Sequence, residues 1–417
     1  MSSKTLGSIL IVAGTAIGAG MLATPIITAA GGFTYAALLM IVLWAFMCIS
    51  ALLTAEAALA FPAGYNGFNT MARATLGRSG QAISWLAFLG LLYALNAAYI
   101  SGGGSILSTT LETFFNIALP QWLGCLIFTC VFGSFIYWGA HSVDMINRVL
   151  ISVKGVIFII SMTLVTPYID LQNLFGPSSG FIYLLAGVPI LITAFGFHVV
   201  IPSLVTYNQN QVSSVVRAII IGSFIPLVVY LVWLAAVLGI IPLMGDMSFT
   251  QIIHDAITLE KDNVGLLLVT LNDVAQNTWI SAAINFFSHL AITTSFLGVG
   301  LALFDFLIDV RKNRGTSARI QTILLTFIPP LIFALYFPQG FIMALGFAGI
   351  FVAITCIILP AVFVWKVRTS TELNSPLRIP GGTPLLMLII LFGASIIVLE
   401  ILDKLGQLPT LASTLFG

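Results

Sequence analysis

The sequence predicts an all-α integral membrane protein of eleven transmembrane helices, arranged as two inverted groups of five with one helix added. Three observations predict it. Only 7% of the 417 residues are charged and 59% are hydrophobic, against roughly 25% charged residues in soluble domains. The apolar residues fall into runs long enough for the about 20 residues that span a bilayer. The first and sixth runs carry glycines or polar residues mid-run, with a proline further along, where glycine costs a helix about 1 kcal/mol and proline about 3.

The runs lie at 6–30, 33–61, 80–111, 121–138, 147–166, 181–205, 213–241, 278–308, 319–337, 339–364 and 384–402. They form one domain over 1–417, with a first repeat at about 6–166, a second at about 181–364 and an extra helix at about 384–402. Lys4 ahead of the first run has the outline of a signal peptide, but the many spans behind it favour an uncleaved helix. With the N-terminus in the cytoplasm, Lys4, Arg73, Arg78, Arg148, Arg217, Arg311, Lys312, Arg314, Arg319, Lys366, Arg368 and Arg378 fall at the inner face. Lys261 and Lys404 fall outside and Lys154 within a span, so the positive-inside rule selects this orientation and places the C-terminus outside. Residues 62–79 are too short to span and are expected to lie along the inner surface. The outer connection 242–277 carries Asp246, Asp255, Glu260, Asp262 and Asp273, and the spacing of Ile252, Ile253, Ala256, Ile257 and Leu259 predicts a short surface helix.

A net charge of +1 gives no sign of a nucleic-acid partner, and Cys48, Cys125, Cys130 and Cys356 lie in apolar runs with no metal spacing. No metalloprotease motif, nucleophile elbow or phosphate loop is present, so no catalytic residues, metal or cofactor are expected. A channel has no need of matched broken helices. No obligatory protein partner is evident; the expected partners are the bilayer and a small molecule.

The first break is Gly14-Thr15-Ala16-Ile17-Gly18-Ala19-Gly20, followed by Pro25; the second is Ala194-Phe195-Gly196-Phe197-His198, followed by Pro202. Each opens a group of five spans, and the two run in opposite directions. Paired interrupted helices of this kind point to the midplane binding site of an inverted-repeat carrier, because free backbone is tolerated at that depth only where it is buried or lines a wet cavity. Unwound N–H groups suit a carboxylate and unwound C=O groups suit an ammonium. An amino acid carries both on one carbon. Packing of small residues accounts for Gly14 and Gly18, but not for the matching break.

These stretches, together with "Ala98-Tyr-Ile-Ser-Gly", "Thr294-Ser-Phe-Leu-Gly-Val-Gly-Leu-Ala-Leu-Phe-Asp" and "Gly340-Phe-Ile-Met-Ala-Leu-Gly-Phe-Ala-Gly", resemble the bacterial aromatic amino acid permeases of the amino acid–polyamine–organocation superfamily. The resemblance runs over essentially the whole chain; tyrosine-specific members come nearest and tryptophan-specific ones next. It implies a LeuT-like 5+5 inverted repeat and proton-driven uptake of tyrosine or tryptophan across a bacterial inner membrane. Carried over by position, it implies that Gly14 to Gly20 hold the carboxylate and amino groups and that Ala194 to His198 complete the site. The expected substrate contacts are thus Gly14, Thr15, Ile17, Gly18, Ala19, Gly20, Ala194, Phe195, Gly196, Phe197 and His198, with Tyr93 and Asn96 bordering the cavity from the third helix.

Ionisable groups at membrane depth are functional candidates. Lys154 is within snorkelling distance of the inner surface. It is equally placed to occupy, as a fixed ammonium, the position where sodium-driven relatives bind their cation, and there to take up and release the coupling proton. Thr294 and Ser295, beside Thr293, would face it; without Lys154 in that place they would ligate sodium instead, making the chain a sodium-coupled symporter of the same fold. Glu56, near the inner end of the second span, is an anchor or a gate partner for an arginine such as Arg148, and joins Lys154, Thr294 and Ser295 among the ion-coupling candidates. His289 is a candidate for tuning substrate preference, and Phe286 and Phe287 for framing an aromatic side chain.

Overall fold

The computed structural model describes residues 3–62, 64–310 and 316–416. Arg311, Lys312 and Arg314, used in the orientation argument, lie outside the described residues. The described chain is helical without strands, and ten of its helices are long and apolar enough to cross a membrane.

The difference from eleven lies at the first run. It is divided into α1 (Ser3–Ala16) and α2 (Gly20–Thr28), and a 3-10 turn over Ala29–Gly31 leads from α2 into α3 (Gly32–Leu59). A continuous span is replaced by two half-helices, neither long enough alone. Next, α4 (Phe68–Phe115) holds a kink at Gly77, whose φ of 71° separates a short inner segment from the long span. Here a glycine is required, because left-handed backbone is costly for other residues. The first repeat ends with α5 (Gln121–Trp138) and α6 (Ala140–Val165), and a short α7 (Leu171–Phe175) links it to the second.

The sixth crossing is also divided. A 3-10 segment (Phe181–Gly187) leads into α8 (Val188–Ala194), residues 195–197 are non-helical, and a second 3-10 turn (His198–Val200) leads into α9 (Ile201–Tyr207). Then come α10 (Val212–Ile240), α11 (Phe249–Thr258), α12 (Asn263–Ala275), α13 (Thr278–Val310) and α14 (Thr316–Tyr336). The tenth crossing is α15 (Gly340–Val352), a π turn (Ala353–Ile358) and α16 (Leu359–Thr369); α17 (Gly382–Lys404) and α18 (Leu411–Phe416) follow. The outer connection thus holds two helices. The periodicity of 252–259 marks α11, whereas α12 was not foreseen.

Packing follows the repeat. The fifth crossing, α6, lies along α13, and the tenth, α15, lies along α4, so the two contacts exchange under the inverted symmetry. Together these helices form a scaffold. Against it α1 packs on α10, α2 on α8, and α3 on α9 and α10. The helix α17 packs on α15, α16 and the π turn, outside the repeats.

Glu56 serves this architecture. Its carboxylate takes two 2.7 Å bonds from the Arg368 guanidinium and a 2.8 Å bond from the Ile379 amide. The partner is therefore Arg368, not Arg148, and the pair fastens α3 to the C-terminal end of α16. Both carboxylate oxygens are used, which separates Glu56 from the Lys154 group and corrects its place among the ion-coupling residues. Because Glu56 is 1% exposed, Arg368→Ala leaves a buried charge unpaired and is expected to destabilise the fold by about 3–5 kcal/mol. A large fall in the thermal midpoint of the detergent-solubilised protein is the readout; an unchanged midpoint would refute this role.

Candidate functional site

The two breaks meet at the centre of the molecule. Gly20 approaches α8 so closely that a Cβ there would lie 3.2 Å from the Ala194 Cα. A Cβ on Gly18 would lie 2.4 Å from the Ser295 Oγ of α13, closer than side chains tolerate. Gly14 differs, since its Cβ direction meets nothing within 4 Å. Gly18 and Gly20 thus allow close approach, while Gly14 borders open space.

Three side chains from outside the broken helices hold the unwound backbone. The first is Lys154 of α6, buried at 4% exposure. Its ammonium donates to the Ile17 carbonyl at 2.6 Å and to the Thr294 hydroxyl at 3.1 Å. A cation therefore sits between the first break and α13. The second is Ser295, whose Oγ accepts from the Ala19 amide at 3.0 Å and donates to the Ala291 carbonyl at 2.9 Å. The third is Tyr230 of α10, whose hydroxyl lies 2.5 Å from the Ala16 carbonyl and 2.7 Å from the Ala194 carbonyl. These carbonyls end α1 and α8, so one O–H, donating to either, ties the two breaks together. Phe195 packs on the Tyr230 ring with centroids 5.2 Å apart.

The hydrogen bonds that shape the first break run from Ile17 N to Ala13 O, Met21 N to Gly18 O and Leu22 N to Ala19 O. None of them uses the amides of Gly18 or Gly20. Two N–H groups at the positive end of α2 are thereby available to an anion, while the nearby Ile17 carbonyl accepts from Lys154 and those of Ala16 and Ala194 share the one Tyr230 O–H. Ile17 is half-buried and Ala19 buried. Thr15 lies on the exposed flank of α1, with its hydroxyl turned to the Ile11 carbonyl at 2.7 Å. Leu6, Leu10 and Ile11 share that exposure, whereas α2 is buried throughout except at Ile27.

Around the second break, Ala194, Phe195, Phe197 and His198 are buried and Gly196 is half-buried. The His198 ring stacks near Phe197, with centroids 5.1 Å apart, outside the Lys154–Ser295–Tyr230 network. The structure sets two expected residues apart from the breaks. Tyr93 donates to the Leu325 carbonyl of α14 at 2.9 Å. Asn96 bonds the Leu92 carbonyl of its own helix at 2.9 Å and turns its other side-chain atom toward Gly300. Both face the scaffold. The member of that helix that reaches the site is Tyr99, one turn on, which lies beside Ser295. His289 pairs with Thr110 at 2.8 Å; Phe286 is exposed, and Phe287 packs on Phe158 and Trp233.

Tyr230 escaped the sequence reading. A single hydroxyl in the apolar run Phe224–Trp233 is a signal that would have found it. Tyr230→Phe removes a donor from two buried carbonyls and is expected to weaken substrate binding by about 1–3 kcal/mol. An unaltered dissociation constant would show that the hydroxyl does not organise the site.

Comparisons with known proteins identify the family and the fold. The chain is 40% identical over 98% of its length to the tyrosine-specific transport system 1 of Haemophilus influenzae, covering 99% of that protein. It is 37% identical to the tryptophan-specific transport protein of Pseudomonas aeruginosa, covering 97% of this chain and 96% of that one. Among solved structures, MhsT crystallised with L-phenylalanine superposes with a TM-score of 0.62 at 15% identity, over 96% of this chain and 98% of that one, which shows the LeuT-like fold. The tryptophan/tyrosine permease family model matches residues 1–400, and this chain is a member of that family, a permease rather than an enzyme.

Proposed function

We propose that this permease takes up tyrosine across a bacterial inner membrane in symport with protons, with tryptophan as a second substrate. The N-terminus is cytoplasmic and the C-terminus outside. The observation that carries the reading is the Lys154 ammonium lodged between Ile17 O and Thr294 Oγ1, beside paired breaks whose Gly18 and Gly20 amides are unspent. The amides receive the substrate carboxylate. A proton that comes and goes on Lys154 changes how the first break is held, and so couples ion to substrate. Such coupling requires each to favour the other's binding. The helices α1, α2, α3, α8, α9 and α10 rock against the scaffold to expose the site to either side. The tyrosine preference is supported by the relatives' names and by the aromatic walls at Phe195 and Tyr230.

The test is uptake of labelled tyrosine into sodium-free proteoliposomes under an imposed pH gradient, with tryptophan and phenylalanine as competitors. Accumulation above equilibrium, strongly inhibited by tryptophan, is expected. Accumulation only when sodium is added would favour the sodium-coupled reading, which the Thr294 and Ser295 hydroxyls would serve.

A further inference from the structure

The outer connection contains a carboxylate that uptake as described above does not use. Asp262 is 1% exposed. It accepts from the Val264 amide at 3.0 Å, capping α12, from the Phe341 amide at 3.1 Å, at the start of α15, and from the Ser101 hydroxyl of α4 at 3.0 Å. Its own amide donates to Gln121 at the start of α5, 3.1 Å away, and Gln121 in turn bonds the Pro338 carbonyl at 2.8 Å. One residue thus joins α12 to α4, α5 and α15.

The helix it caps, α12, bridges the two groups of helices. It packs on α4 and α13 of the scaffold and also on α2 and α10 of the moving group. Its Gly265 lies so close to α4 that a Cβ would stand 2.3 Å from the Ser105 Oγ.

We propose that Asp262 is a proton-operated latch: it pins α12 as a plug across the outer face, and external acid tightens it. Outward opening lifts α12 off α4 and brings Asp262 to water. This rests on the alternating-access reading above. The groups that face Asp262 supply no cation. From α5 comes the Cys125 thiol, from α4 Ser101 and from α15 a backbone amide; Glu260 and Lys261, next to it along the chain, are exposed. No salt bridge among the described residues involves it. Burial without a counter-charge favours the neutral acid and outweighs the three hydrogen bonds, which favour the anion, and the Ser101 hydroxyl can accept from the acid as well as donate to the anion.

The sign follows. Burial pushes the Asp262 carboxyl up to about 6 in the closed form, from an ordinary value of 3.8 when it is open to water. The closed form binds the proton more tightly, so lowering the external pH through 6 favours closure. Between pH 7.5 and 5 the closed-to-open ratio rises about tenfold by linkage.

The experiment uses the full chain in right-side-out vesicles, with exposed Cys130 replaced by alanine and Ser105→Cys as a reporter beneath the plug. The parent lacking Ser105→Cys serves as the blank. A membrane-impermeant methanethiosulfonate labels the reporter from outside in the Asp262 and Asp262→Asn proteins, and their ratio at each pH cancels the thiol's own ionisation. Asparagine imitates the neutral acid, so the Asp262 protein is expected to label faster at pH 7.5 and the ratio to fall about tenfold by pH 5. Ser101→Ala removes a hydrogen bond that favours the carboxylate, so it is expected to raise labelling and to move the pH midpoint upward. A ratio independent of pH, or faster labelling of Asp262→Asn at every pH, overturns the latch. Tyrosine uptake is measured in the same vesicles: absent uptake with the expected labelling ratio would remove the substrate reading and leave the latch standing, and the reverse result would do the opposite.

Discussion

Replacing Lys154 with methionine is expected to abolish concentrative uptake of tyrosine driven by a pH gradient. Two buried acceptors, the Ile17 carbonyl and the Thr294 hydroxyl, lose their cation at once. Each deserted group costs about 1–3 kcal/mol, so initial rates fall by at least about tenfold, and the remaining uptake stops at equilibrium. Lys154→Arg separates the two meanings of the residue. Arginine keeps its charge at every physiological pH, so it would serve an anchor that only snorkels, and it is expected not to restore accumulation here. Flux of labelled tyrosine in sodium-free proteoliposomes, with and without a pH gradient, decides the matter. Full activity in the arginine protein would make Lys154 an anchor.

The second large effect is expected at Gly18. A methyl group there would stand 2.4 Å from the Ser295 Oγ, and that atom is fixed by the Ala19 amide and the Ala291 carbonyl. Overpacking of this kind costs about 1–3 kcal/mol. Gly18→Ala therefore weakens tyrosine binding by about 5–150-fold, without loss of the folded state by thermal unfolding. Gly14→Ala, which adds its methyl to open space, stays near the parent protein. Combining Gly18→Ala with Ser295→Gly relieves the contact and is expected to recover part of the affinity. If both glycine variants bind equally well, the first break does not form the site.

The breaks were legible because glycine and proline are expensive inside a helix, and the two costs recur in matched, opposite positions. Lys154 and Thr294 were legible because polar groups at that depth need partners. What stayed hidden depends on long-range packing. Glu56 meets an arginine 312 positions away, which no local pattern announces. Asp262 reads as one of several loop acids until Ser101 and Phe341, 161 and 79 residues distant, close over it. Tyr93, Asn96 and Tyr99 share a face at spacings of three, yet that face is an arc about 120° wide on an α-helix. Its two ends see different neighbours: Tyr99 reaches Ser295, and Tyr93 reaches α14. Tyr230 looked like part of an apolar helix because its acceptors exist only where the two breaks create them.

The most direct measurement is an electron-microscopy density map of the purified protein with bound tyrosine. The substrate carboxylate is expected within hydrogen-bonding distance of the Gly18 and Gly20 amides, with its ring near Phe195 and Lys154 still beside Ile17. Tyrosine density away from α2 and α8, or continuous helices through Gly18 and Phe195, would contradict the account.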